Sequence, residues 1–311
     1  MTNPALLFFV LGVFATYLKS DLEIPPNSSK LMSLDLLISI GFKGGQDLSH
    51  ETFTLNILWS MIFGIFIALF IPAYTFFILN RKLNVFDAGA IAAAYGSVSA
   101  VTFVTASTFL ESEQLLLHGY MVAIMALMES PAIIIGLILI TLFNKGRKNE
   151  IDKRFVLKHA ITNGSVLLIL GSLLIGFLAN AKQAEGIKPF TNDLFKGFLA
   201  IFLLDMGISS GKKLKSFFEF GWFPVLFAVF IPLVNGCFFA LVSTLVTTET
   251  SDRFIFAVLA ASASYIAVPA AMKVTVPKAN PGLFLPMALA ITFPINITIG
   301  LPLYFYLAQQ F

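Results

Sequence analysis

Apolar stretches follow one another along the whole chain, broken by short polar connections. At about 20 residues per crossing of roughly 30 Å of hydrocarbon, they fall at 4–18, 29–43, 53–79, 86–109, 118–143, 162–181, 193–210, 221–247, 253–272 and 282–309. The pattern predicts ten transmembrane helices, because lipid leaves backbone N–H and C=O groups no other easy partner. The longest hydrophilic connection, "NKGRKNEIDKRFVLKHA" at 144–160, divides them five and five. Three units are expected: a five-helix repeat over 1–143, a cytoplasmic linker over 144–160, and a second five-helix repeat over 161–311. The first apolar stretch is read as a span and not as a signal peptide, since no basic residue precedes it and no convincing A-x-A site follows.

The two halves resemble each other in order. "LISIGFKGGQDL" (37–48) aligns with "LLDMGISSGKKL" (203–214), pairing Gly41 with Gly207 and Gly45 with Gly211. "FIP" recurs at Phe70 and Phe230, and "AAYGSVSAV" (93–101) aligns with "AASASYIAV" (260–268), pairing Ser97 with Ser264. The fifth spans share "MAL", a proline and a glycine. An odd number of spans per half makes the second half enter from the opposite side. The fold class expected is therefore all-α integral membrane, ten transmembrane helices in two inverted five-helix repeats, an organisation typical of secondary transporters.

Composition agrees: 58% of residues are hydrophobic, 12% are charged, and the mean hydropathy is +0.88, against about 25% charged residues in soluble domains. The net charge of +3 is a matter of topology and not of nucleic-acid binding. With alternating spans, five of the 20 basic residues (Lys43, Lys182, Lys188, Lys196, Arg253) fall on one side and fifteen on the other. The basic side is expected to be cytoplasmic, with both termini external in a cell inner membrane. The single cysteine, Cys237, forms no intrachain disulfide.

The chemistry concentrates where spans four and nine are weakest. Gly96, Ser97, Ser99 and Thr102 in one, and Ser262, Ser264 and Pro269 in the other, suggest helices interrupted near the midplane. Their second halves would begin with unpaired N–H groups and partial positive charge, suited to an anion. Small and hydroxylated residues also serve plain helix packing, and both uses stay open from sequence. Of the ionisable residues within spans, Glu129, beside Pro131, is the leading candidate for a cation site, followed by Asp205 and Asp35; Asn296 serves either packing or pocket lining, and in the latter use joins Glu129 and Asp205 as an ion-binding candidate. Asp87 and Glu111 are expected at helix ends. "GISSGKK" lacks the spacing of a phosphate-binding loop. The three histidines are far apart in sequence, without metal-ligand spacing. Nothing points to an enzyme, a cofactor or a metal other than a coupling ion.

"AYGSVSAVTFVTASTFLE", "MESPAII", "GFLAIFLLDMGISSGKKL" and "AASASYIAVPAAMKVTVPKANPG" resemble the sodium-dependent bicarbonate transporter family over nearly the whole chain. The resemblance implies broken fourth and ninth helices crossing near the midplane and a homotrimer. It places bicarbonate contacts at Gly96, Ser97, Val98, Ser99, Thr102, Ser262 and Ser264. It also implies sodium as the coupling ion and, in some members, a PII-like soluble regulator at the cytoplasmic face. In the ninth helix an acid of the family pattern is replaced by Tyr265 and a serine by Ala267, so the ion site shifts toward Glu129 or Asp205 or is lost, while Tyr265 either offers its phenol to the substrate or fills space. Import of bicarbonate or a similar small anion is the expected function. An organic-anion carrier of related fold and a non-transporting membrane sensor are the alternatives.

Overall fold

A computed structural model describes residues 4–144 and 164–310. Residues 145–160 of the expected linker, with all six of its basic residues, lie outside the described residues. Those described form an all-helical protein without strands. The helices are α1 (Pro4–Tyr17), α2 (Pro26–His50), α3 (Leu55–Leu79), α4 (Val85–Gly96), α5 (Ala100–Ser112) and α6 (Gly119–Phe143). Beyond the linker come α7 (Gly164–Leu178), α8 (Ala181–Lys188), α9 (Phe195–Phe217), α10 (Trp222–Val242), α11 (Thr250–Ala261) and α12 (Ala267–Thr275). The last, α13 (Pro281–Gln309), is one helical run loosened by π-turns at Met287–Thr292 and Asn296–Gly300, next to the prolines Pro286 and Pro294 that cannot donate to the ladder. A π-turn at Pro189–Leu194 likewise joins α8 to α9.

Among the described residues, six helical stretches are long and apolar enough to cross a membrane: Leu55–Leu79, Val85–Ser112, Gly119–Phe143, Ala181–Lys213, Trp222–Leu245 and Pro281–Gln309. Leu7–Tyr17 and Gly164–Leu178 are shorter apolar helices. The chain is thus a multi-pass membrane protein. The stretch expected at 29–43 lies within α2, which runs on past its apolar core to His50 and carries Gln46 far enough to donate to the Gly176 carbonyl of α7 and to the Ala179 carbonyl just beyond it; the stretch expected at 193–210 lies within the longer run Ala181–Lys213, and that at 253–272 is divided between α11 and α12.

The helices group into two layers. One consists of α1 against α9 and α2 against α7; the other of α3 to α6 with α10 to α13. Glycines set the first layer. A Cβ on Gly41 would lie 2.8 Å from the Ile169 carbonyl oxygen and 2.8 Å from Ser172 Cβ; one on Gly207 would lie 2.2 Å from the Phe9 carbonyl oxygen and 3.0 Å from Gly12 Cα. The contact of α2 with α7 and that of α9 with α1 are thus both closed at a glycine facing backbone of the partner helix. Without a hydrophobic drive between helices in lipid, backbone approach of this kind is what holds such pairs.

Ion pairs and caps at the helix ends fall into two groups. Glu111 meets Lys43 at 3.5 Å and Lys196 at 3.6 Å, His118 meets Asp252 at 2.8 Å, and the Gly119 N–H donates to Glu51 at 3.0 Å. Lys212 meets Glu23 at 3.8 Å, Asp87 accepts from the Asn280 N–H at 2.6 Å, and the Lys278 ammonium lies over the Phe86 ring. Each contact joins residues that the alternating pattern puts on the same side. Asp87 and Glu111 sit at helix ends, as expected from sequence.

Helix approach is testable by adding one methyl group. A Cβ on Gly45 would come 2.0 Å from the Leu173 carbonyl oxygen, while Gly197 faces open space. Gly45→Ala is expected to cost about 1–3 kcal/mol through overpacking. Gly197→Ala is expected to be neutral or to gain up to about 1 kcal/mol. Thermal unfolding of the two purified variants checks the contrast; equal melting temperatures would contradict this packing.

Candidate functional site

The fourth span is interrupted at Ser97–Ser99. Ser97 leaves the helix with φ −87° and ψ 173°, and Ser99 caps α5 with φ −100° and ψ 107°. The corresponding break in the second half runs from Ser262, extended at φ −78° and ψ 163°, to Ile266. Pro269 does not make this break: it is the third residue of α12, in a first turn where a missing N–H removes no intrahelical bond. Gly96 is the last residue of α4, and a Cβ there would lie 2.3 Å from the Pro72 ring. Its bareness lets α3 approach the break.

Each break supplies what the other lacks. The Ser264 N–H donates to the Ala94 carbonyl at 2.8 Å, and the Ser99 N–H donates to Ser262 Oγ at 3.2 Å. Within each half, Ser99 Oγ caps α5 by accepting from the Thr102 N–H, and Ser264 Oγ, ahead of the Ile266 N-cap of α12, accepts from the Val268 N–H. Asn296 Nδ2 donates at 2.7 Å to the Ala261 carbonyl, left without a helical partner by the break, and Asn296 Oδ1 accepts from Tyr304. Asn296 therefore supports the break from behind. The hydroxyls of Ser97 and Thr102 are buried and have no hydrogen-bond partner.

Between the breaks lies a cavity of about 20 Å³, room for about one water. Val98, Ser99, Ser264, Tyr265 and Glu129 line it, together with Ala100, Val101 and Ala267 from the first turns of α5 and α12. The leading amides of both half-helices precede any intrahelical acceptor, so two positive helix ends border one small space. Glu129, 5% exposed, is the ionisable side chain in this lining. Tyr265 packs edge-on against Phe293 with ring centroids 5.8 Å apart, and its hydroxyl is buried without a hydrogen-bond partner. A four-atom anion does not fit this volume until the walls part.

The structure thus brings together Val98, Ser99, Ser264, Tyr265 and Glu129. Gly96, Ser97, Thr102 and Ser262 stand at the breaks but outside the cavity lining, as does Asn296. Asp205 lies on α9 within electrostatic reach of Lys213 and does not line the cavity. Sequence reasoning missed the wall given by the other layer: Ser33, Leu36 and Leu37 of α2 and Ser165 of α7. No local motif marks them.

A family profile described as the Na+-dependent bicarbonate transporter superfamily matches residues 4–309. The chain belongs to that superfamily. No curated protein matches it. Membership makes the chain a membrane transporter and not an enzyme.

A second polar cluster clasps the ends of three helices. Asp252, 1% exposed, accepts from Tyr120, from Thr247 at 3.2 Å and pairs with His118 Nδ1. The bond to Asp252 raises the His118 pKa above the ordinary histidine range, against the opposing effect of burial. Because the folded pKa is raised, the stability contributed by protonated His118 is fully present below the unfolded value of about 6.5. It is lost as pH rises through the higher folded value. Melting temperatures across pH 5–9 are expected to carry this falling component, and His118→Gln is expected to remove it; an unchanged profile in the variant would contradict the clasp.

Proposed function

We propose that this chain is a secondary active transporter importing bicarbonate into the cell with sodium as coupling ion. The observation that carries the reading is the single cavity bordered by the first turns of α5 and α12 and by Glu129. Two helix N-termini favour an anion, and a carboxylate in the same lining favours a cation arriving with it. Superfamily membership supports bicarbonate and sodium as the cargo.

The energetics require a companion ion. Moving one negative charge inward against about 100 mV costs about 2.3 kcal/mol before any concentration gradient. One sodium ion cancels that electrical cost and adds its own gradient.

The matching glycine contacts of α2 with α7 and of α9 with α1 support two inverted five-helix repeats. In that arrangement ten spans alternate through the inner membrane with both termini outside. The layer of α3–α6 and α10–α13 holds both breaks, so it carries the cargo, and the layer of α1, α2, α7 and α9 forms the wall against which it moves. Ser99, as cap, and Ser264 keep the half-helix ends aimed at the cavity, while Ser97 and Thr102 offer hydroxyls once the walls part. Tyr265 and Val98 set the size. Glu129 holds the cation, with Asp205 the alternative carboxylate outside the lining. A homotrimer and a PII-like regulator meeting the linker belong to the same reading.

Uptake of labelled bicarbonate into proteoliposomes tests it. An inward sodium gradient is expected to drive accumulation. Ser99→Ala is expected to lower uptake about tenfold, the worth of one lost hydrogen bond, and Glu129→Gln to abolish sodium dependence. Sodium-independent uptake would overturn the symport reading. Counterflow by organic acids but not bicarbonate would favour the organic-anion carrier. Binding without uptake would favour a sensor.

A further inference from the structure

One buried acid takes no part in the cavity at the breaks. Asp35 lies on α2, nine residues after the start of Pro26–His50, or about 14 Å along the axis at 1.5 Å per residue. Its neighbours in sequence, Leu36 and Leu37, line the cavity, so Asp35 sits at the same depth. At 3.6 residues per turn it leaves α2 about 160° around from Leu37, on the face turned away from that cavity. Asp35 is 3% exposed, and neither of its carboxylate oxygens has a hydrogen-bond partner. Ser39, one turn further along the same face, is fully buried, and its hydroxyl is also without a partner. Buried polar groups left unbonded in this way are few in folded proteins.

The segments packed on α2 supply no counter-charge. α7 carries no titratable side chain. On α5 and α6, Glu111 faces Lys43 and Lys196, Tyr120 bonds Asp252, and Glu129 lines the cavity. On α9, Lys196 and Lys212 meet Glu111 and Glu23, and Asp205 lies within reach of Lys213. Asp193, in the π-turn before α9, is exposed, as are Lys30, Asp47 and His50 on α2 itself. Among the described residues no charged group acts on Asp35.

A bare carboxylate so isolated is not stable in an apolar interior, and such a group is neutralised instead. A hard cation collects several oxygen ligands, whereas this face of α2 offers one carboxyl and one hydroxyl. We propose that Asp35 is a proton-binding site of the layer of α1, α2, α7 and α9, separate from the cation site at Glu129, and that it carries its proton at neutral pH. The proton comes from water, forms an O–H bond on one carboxylate oxygen and cancels the charge. Its return requires water at this face, which the present packing excludes, so the proton is exchanged when α2 parts from its neighbours. That role rests on the transport reading; the existence of the site does not.

Infrared difference spectroscopy of the full chain in lipid vesicles tests the site. The spectrum of the wild type minus that of Asp35→Asn, at neutral pH, is expected to show one carboxylic-acid carbonyl band, the same with and without sodium. Loss of carboxylate bands in its place overturns the proposal. So does an acid band that sodium removes, which would make Asp35 a cation site. Thermal unfolding is the second measurement: Asp35→Asn and Asp35→Leu are expected to melt at or above the wild-type temperature, since neither change leaves a bonded partner unpaired. A lower melting temperature in both would reveal a partner and overturn the site. The shift of the acid band in D2O is expected to quicken when sodium and bicarbonate are added together, and a rate indifferent to them removes the role in transport. An acid band at Asp35 in a protein showing no bicarbonate uptake leaves the site standing and sinks the transport reading instead.

Discussion

The constraint on which the structure turns is the obligation to satisfy backbone groups in oil. Interrupting a helix at mid-membrane exposes amides and carbonyls at a cost of several kcal/mol each. Two interruptions are tolerated here because they are placed against each other. The Ser264 N–H reaches the Ala94 carbonyl, and the Ser99 N–H reaches Ser262 Oγ. Asn296 takes up the Ala261 carbonyl, and the Tyr95 and Thr292 hydroxyls bond each other at 2.7 Å to fix α4 against α13. With these bonds made, the two half-helix ends border one cavity.

The layer arrangement follows from this unit. Its members pack through glycine and proline, as where Gly96 admits Pro72 and Gly236 admits the Tyr304 ring, so that a block of helices surrounds the breaks. The other layer reaches the cavity only through short side chains and leucines, Ser33, Leu36, Leu37 and Ser165. Polar contacts between the layers include Glu111 with Lys43 and Lys196 and Glu51 with the Gly119 N–H at the helix ends, and the buried Ser210 hydroxyl donating to the Leu289 carbonyl at 2.9 Å.

Much of the fold was legible because membrane crossing imposes long apolar runs and because polar residues inside them are conspicuous. Ser97 to Ser99 and Ser262 to Ser264 announced the interruptions. What could not be read locally were the meanings that depend on a distant helix. Gly96 suggested close approach to a ligand, yet its neighbour is Pro72 on α3. Pro269 suggested a helix breaker, yet it occupies a first turn where it breaks no bond, and the interruption is set by the cross-links before it. Asn296 suggested pocket or packing in equal measure until its bond to the Ala261 carbonyl defined it. Asp205 was attractive as a buried acid, but depth along a helix does not give direction around it. The α2 wall carried no signal, since serine and leucine in a span are unremarkable.

The central claim is that two cross-linked breaks hold a small anion between their facing N-termini. An experimental density map of the protein in saturating bicarbonate tests it most directly. The account predicts backbone interruptions at 97–99 and 262–266, with a planar four-atom density within hydrogen-bond distance of the leading amides of α5 and α12. Continuous helices through both segments, or the anion bound away from those amides, would contradict it.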